Sequence, residues 1–307
     1  MSFTVLNFSE NQADCFLIVL ENKKQEQITI LVDGNKENSN YQKVMYVISQ
    51  KYQKLDYIVV SHVDDDHLGG IIKMLEDVNW KCAEKTKILY NYVVKKNVSY
   101  EQAKRFEDLI AGRTVISSEK DNFFSEDRYL RILSEDYRKV CMEVESKPDK
   151  AFLTLIKPKH FNMARTRSDC TNVLNNNKKP NSKLINKNSF VFLLEFEGKS
   201  AVFTGDANWD QIESSLNNTL GQDYVLDLIK IPHHGAKVNN KKMVEYAIKH
   251  KTKYFLVSGK EKWDKKHPDE ELMDDITNRC FNAKVYTLIQ DIPWENIVTE
   301  EELRIEK

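Results

Sequence analysis

The chain has 307 residues, of which 41% are hydrophobic and 30% charged, with 46 basic against 47 acidic side chains. No apolar run approaches the roughly twenty residues of a membrane helix, and Leu, Ile, Val and Phe are too abundant for wholesale disorder. A net charge of -1 supplies no global field for nucleic acid or a membrane surface, so any such affinity must be local.

Length allows one or two domains. The first twelve residues carry neither a basic nor a long apolar leader segment. The five cysteines, Cys15, Cys82, Cys141, Cys170 and Cys280, form no C-x-x-C pair. Both features predict a reduced, cytoplasmic protein without a thiolate zinc site.

Cys15–Leu20 and Ile28–Val32 read as two strands joined by a polar turn, the second ending at Asp33-Gly34-Asn35. Tyr41–Lys54 has helical spacing. Leu55–Val60 is a buried-strand pattern. It runs into Ser61-His62-Val63-Asp64-Asp65-Asp66-His67-Leu68-Gly69-Gly70, and a helix is predicted over Ile71–Val78. Thr86–Val94 reads as a strand, and Ser99–Ala111 and Ser125–Glu135 as amphipathic helices. Phe152–Ile156 is a strand stopped by Pro158. Residues 161–188 read as a long polar loop. Between Lys157 and Lys187 there are eight Lys and Arg residues against the single acid Asp169.

Ser189–Phe196 and Ser200–Phe203 form a predicted hairpin that ends at Thr204-Gly205-Asp206. Val225–Ile231 is a strand ending at Pro232-His233-His234-Gly235. A helix follows over Lys241–His250, then a strand over Tyr254–Val257 that ends at Ser258-Gly259. His267-Pro268 precedes a helix over Asp269–Arg279, and Lys284–Ile289 is a last strand. Glu295, Glu300, Glu301 and Glu302 are expected on a solvated helix face, and His160 and His250 at the surface.

Polar residues therefore follow strand ends repeatedly, at Asp33, His62, Asp206, His234 and Ser258. In layered α/β proteins ligands gather at such ends. His62, Asp64, Asp66 and His67 crowd four donor groups into six residues. Imidazole nitrogens and carboxylate oxygens suit Zn, Mn or Fe. Four such groups in one tight loop suit two neighbouring ions better than one, with a carboxylate such as Asp206 as bridge. Paired ions lower the pKa of a bridging water and clamp the leaving oxygens of a displacement. A solvated acidic turn capping a helix is the alternative for Asp64 to Asp66 alone.

Taken in order, these segments resemble the metallo-β-lactamase superfamily, whose signature loop is His-x-His-x-Asp-His. Aspartate takes the second ligand position here, His62-x-Asp64-x-Asp66-His67. That variant resembles the branch containing the hydrolase domain of bacterial DNA-uptake channel proteins and the teichoic-acid phosphorylcholine esterases. Asp33-Gly34-Asn35, Asn186-x-x-Ser189, Phe203–Ala207, Ile231–Gly235, and Ser258-Gly259 with His267-Pro268 resemble further segments of that branch, over about residues 3 to 290. Asp14 resembles its Gly-Asp segment, with Ala13 in place of glycine.

The resemblance implies an αββα sandwich, two mixed β-sheets flanked by helices. It implies a single domain over residues 1–307, with insertions at about 80–150 and 161–185. His62 and Asp64 would hold one divalent ion, and Asp66 and His67 the other. Asp206 would bridge them, and His234 would complete the second site. Asp33, Asn186 and Ser189 would support the ligands or border the substrate. Asn186 stands where most relatives have a histidine, so the expected complement is two Zn or Mn ions or a single ion.

The implied activity is metal-dependent hydrolysis, by a phosphodiesterase or nuclease using a metal-bound hydroxide. Asp66, His233 and His267 are the catalytic candidates. The basic segment would guide an anionic phosphodiester such as nucleic acid or a nucleotide. Hydrolysis of a thioester or lactone uses the same chemistry. A non-catalytic metal-binding subunit of a partner protein is the third reading.

Overall fold

The computed structural model describes residues 2–10, 12–36, 39–90, 101–116, 151–157, 185–186, 188–220, 223–259, 267–288, 297–298 and 302–305. Strands β1 (Ser2–Asn7), β2 (Phe16–Glu21) and β3 (Gln27–Val32) form an antiparallel meander. Strands β4 (Tyr57–Val59), β5 (Lys87–Leu89) and β6 (Val115–Ile116) extend it in parallel. The second sheet repeats this plan. Strands β7 (Ala151–Lys157), β8 (Val191–Phe196) and β9 (Lys199–Phe203) are antiparallel. Strands β10 (Leu228–Lys230), β11 (Tyr254–Leu256), β12 (Lys284–Tyr286) and β13 (Ile297–Val298) follow in parallel. The chain then returns to the first sheet, where β14 (Glu302–Arg304) pairs with β1.

Period-two alternation sorts the strand residues into layers. Phe16, Ile18 and Leu20 face Phe192, Leu194 and Phe203 across the sandwich, and the rings of Phe192 and Phe203 stack at 5.1 Å. Leu17, Val19 and Leu31 face the other way. They pack under α1 (Tyr41–Val47), α2 (Asp65–Glu76) and α3 (Glu101–Leu109). Val191, Leu193 and Val202 pack under α4 (Trp209–Leu220), α5 (Met243–Lys249) and α6 (Glu270–Arg279). Strands covered on both faces need continuous apolar runs, which is why FLIVL and ITILV carry so few polar residues. The architecture is the expected αββα sandwich. No helix among the described residues is long and apolar enough to cross a membrane.

Some sequence expectations shift. Glu302 lies in β14 rather than on a solvated helix face, because Leu303 and Ile305 insert into the inter-sheet core. His250 is buried; its Nδ1 lies 2.7 Å from the Tyr224 carbonyl and its ring stacks on Tyr246. The described residues between 80 and 116 form β5 and α3, at the strand and the amphipathic helix predicted there, and β6, and Phe106 is fully buried. Strand β1 and helix α4 are not among the predicted elements, although Trp209, Ile212 and Leu216 of α4 fall at helical spacing and are fully buried. The helix predicted at Ser125–Glu135, the loop over 161–184, His160 and almost all of the basic segment lie outside the described residues.

Helix α2 begins at Asp65, six residues before the predicted start. Its first turns rest directly on the turn after β3. The Gly34 amide donates to the His67 carbonyl (2.7 Å), and the Gly70 amide to the Asn35 carbonyl (3.0 Å). A Cβ on Gly70 would lie 1.7 Å from the Gly34 carbonyl oxygen. Gly70→Ala therefore forces α2 off this turn and should destabilise the protein by about 1–3 kcal/mol or more. Thermal unfolding checks this, and an unchanged melting temperature would contradict the packing described.

Candidate metal centre

The loops that follow β3, β4, β9, β10 and β11 converge at one end of the sandwich. They bring together Asp33, His62, Asp206, His234 and Ser258. The start of α2 adds Asp64, Asp66 and His67. Asp64 occupies the N-cap position but makes no capping hydrogen bond with its side chain. Its carboxylate is turned instead to His62, with Oδ2 at 3.7 Å from Nε2.

Asp206 lies at the middle. Its Oδ1 is 3.5 Å from both His67 Nε2 and His234 Nε2, and Asp66 Oδ2 is 3.5 Å from the same His234 nitrogen. Its Oδ2 faces His62 Nε2 at 3.9 Å and His233 Nδ1 at 3.7 Å. These separations are too long for hydrogen bonds. They approach the spacing of donors sharing one ion, since two ligands about 2.1 Å from a tetrahedral metal stand about 3.4 Å apart. The Nε2 atoms of His62, His67 and His234, together with Asp206 Oδ1, are buried and have no hydrogen-bond partner among the described residues. Buried polar atoms are ordinarily satisfied, so four unsatisfied atoms aimed at one space fit a divalent cation.

The opposite edge of each ring is anchored. His67 Nδ1 donates to Asp33 Oδ2 at 2.8 Å. Ser61 Oγ donates to Asp33 Oδ2 at 2.6 Å, which leaves it to accept from His62 Nδ1 at 2.9 Å. Ser258 Oγ donates to Asp14 Oδ1 and accepts from His234 Nδ1 at 2.8 Å. Each ring thus has Nδ1 hydrogen-bonded to a supporting group and Nε2 turned inward, the edge that a neutral imidazole offers to a metal. Ser189 Oγ accepts from the Asp206 amide at 3.1 Å and fixes that loop.

His233, His234 and Gly235 all have positive φ (49°, 51° and 83°). Two non-glycine residues in the left-handed region store strain of a kind found at functional sites. Asn186 lies beside His233, its Nδ2 at 3.3 Å from Nδ1. His267 flanks the same ring, with centroids 5.7 Å apart, and its own Nδ1 has no partner among the described residues. The residues predicted as ligands, catalytic candidates or their supports thus all lie at this end of the sandwich. The residues that sequence reasoning left unassigned here are Ser61 and Lys230, and Asp14 had only a resemblance to mark it. The available signal for Lys230 was a lone cation inside the apolar run LIKI.

Electrostatics divide the members of this cluster. Burial opposes protonation of His67, but Asp206, Asp33 and Asp66 outweigh it and raise its pKa to about 10. His234 is likewise raised well above its ordinary value, against burial, chiefly by Asp206. Burial and then His67 press His62 down to about 3. Burial and Asp66 push Asp64 up to about 6. Asp66 is lowered to about 2 despite burial, by His67 and His234. In the metal-free protein these shifts favour a second proton on His67 and on His234.

No family model matches this sequence, and no curated protein does. Solved structures do match in fold. A metallo hydrolase from the archaeon Ignicoccus hospitalis aligns over 100% of both chains at 10% identity, with a TM-score of 0.53. The metallo-β-lactamase fold protein YhfI from Bacillus subtilis aligns over 99% of this chain and 100% of its own, at 12% identity and a TM-score of 0.53. A long-form RNase Z from yeast aligns over 93% of this chain and 40% of its own, at 12% identity and a TM-score of 0.52. The chain has the metallo-β-lactamase fold.

The raised values of His67 and His234 set the sign of a pH effect. In the metal-free protein their charge pairing is complete below the ordinary imidazole pKa and is lost as pH rises through about 10 for His67. A metal needs both rings neutral, so uptake must release protons, and affinity must fall as pH falls. Calorimetry should show tighter binding near about pH 8 than near about pH 6, with a heat that depends on the buffer's protonation enthalpy. Binding independent of both would contradict this arrangement.

Proposed function

We propose that this protein is a metal-dependent hydrolase whose substrate is an anionic phosphodiester, such as a nucleic acid or nucleotide. The observation that carries the reading is the set of unpartnered Nε2 atoms of His62, His67 and His234 around an unpartnered Asp206 oxygen. Two divalent ions, Zn or Mn, fit the two sides of Asp206. His62, Asp64 and Asp206 Oδ2 would hold the first. Asp66, His67, His234 and Asp206 Oδ1 would hold the second. When bound, such a pair supplies water activation and stabilisation of negative charge on the reacting oxygens.

The chain's own groups supply orientation and hydrogen bonding. Asp33 and Ser61 fix the tautomers of His67 and His62, and Asp66 is held ionised beside His234. His233 and His267 are less buried than His62, His67 and His234 and border the cluster. Burial lowers the pKa of each, so both are neutral at neutral pH. A neutral imidazole N–H there can donate to a phosphoryl or leaving oxygen without fixing a full charge in place.

Three features favour phosphorus over carbonyl carbon. The signature loop resembles phosphodiester-cleaving branches. The segment between Lys157 and Lys187 is strongly basic in a nearly neutral chain. The fold is also that of an RNase Z, at the low identity given above. A chromogenic phosphodiester assayed with Mn or Zn tests the reading. Asp206→Ala should lose at least about 100-fold in kcat. A wild-type rate in that variant would overturn the mechanism, and turnover of thioesters or lactones alone would move the substrate to the carbonyl class.

A further inference from the structure

Lys230 closes β10 within an apolar stretch, and its side chain is 1% exposed. An ammonium taken from water is costly unless paired and hydrogen-bonded. Its partner is Asp14, with Nζ 2.5 Å from Oδ2, and the Gly205 carbonyl lies 3.4 Å away. Asp14 is itself buried, and the Lys230 ammonium, against the effect of burial, holds its carboxyl well below the usual range.

Asp14 does not stop at Lys230. Its Oδ1 accepts from Ser258 Oγ, and Ser258 in turn accepts from His234 Nδ1. Oδ1 also lies 3.4 Å from that nitrogen, and Oδ2 3.8 Å from His67 Nδ1. The Asp14 backbone is fixed by the same neighbours, since its amide donates to the Asp66 carbonyl and its carbonyl accepts from the Asn35 amide. A line of contacts thus runs from Lys230 through Asp14 and Ser258 to His234. Among the described residues Asp14 makes no hydrogen bond to His62, whose Nδ1 is held by Ser61.

Charge points the same way. Five carboxylates, those of Asp14, Asp33, Asp64, Asp66 and Asp206, surround the centre. Two divalent ions would neutralise four of them. Lys230, 1% exposed, adds a buried positive charge on the Asp14 side of these carboxylates.

We propose that Lys230 is a positioning residue that locks Asp14 in place, so that Ser258 and His234 are oriented for the ion held by Asp66, His67, His234 and Asp206. The proposal rests on the two-ion reading of the site. It deepens that reading by making the affinity of one ion depend on a side chain that touches neither ion nor substrate.

Calorimetric titration of the metal-free protein with Zn or Mn tests it. Supporting partners of metal-ligating histidines are typically worth about 10- to 100-fold in metal affinity. Lys230→Met should weaken one of the two binding events by about that factor and leave the other unchanged, and Lys230→Arg should largely restore it. Ser258→Ala removes the link without disturbing the buried ion pair, and should weaken the same event. If Lys230→Met does not fold, Ser258→Ala decides. Wild-type affinity for both ions in a folded Lys230→Met, or in Ser258→Ala, would overturn the proposal and leave the proposed function standing. Equal weakening of both ions would also overturn it. A wild-type protein that takes up no ion would remove the two-ion reading and this proposal together.

Discussion

Asp206 presents each of its carboxylate oxygens to a different set of donor atoms, in a space lined by buried imidazole nitrogens. A carboxylate there is tolerable only if positive charge faces it. The protein meets that need in two ways. In the absence of metal, His67 and His234 hold protons far above their ordinary range, against the effect of burial. With metal bound, the same nitrogens would give up those protons and serve as ligands. Protons and metal ions therefore compete for one electrostatic role.

The rest of the structure keeps that geometry in place. Each sheet contributes strand ends to the cluster, and the inter-sheet core of Phe16, Phe192 and Phe203 holds the sheets together beneath it. The contact of Gly34 with Gly70 brings the start of α2 against the turn after β3, which places His67 on Asp33. On the other sheet, the left-handed backbone from His233 to Gly235 turns two adjacent imidazoles in different directions, with their rings at 76°. One ring faces Asp66 and Asp206. The other lies between Asn186 and His267 at the rim.

Much of this was legible in the sequence, for physical reasons that can be named. Strands covered on both faces advertise themselves as short apolar runs, so β2, β3, β8 and β9 were readable. The crowding of His62, Asp64, Asp66 and His67 has few uses other than ligation, and Asp206 and His234 were readable as polar residues at strand ends. The supporting network was harder to see. Lys230 and Asp14 are 216 positions apart, and their pairing exists only once β10 lies under the first loop. Strand β14 was misread because Glu302 and Arg304 point outward while only Leu303 and Ile305 carry the burial. His250 was assigned to the surface because nothing local marks the Tyr224 carbonyl and Tyr246 ring that enclose it. Local pattern reveals a residue's chemistry; long-range pairing decides whether that chemistry is exposed or buried.

The most direct test of the account is anomalous X-ray scattering from crystals grown with Mn or Zn. The account predicts two peaks on opposite sides of Asp206, one against His62 and Asp64, the other against Asp66, His67 and His234. Peaks confined to surface residues, or a cluster without metal whose His67 and His234 still contact Asp206, would contradict it.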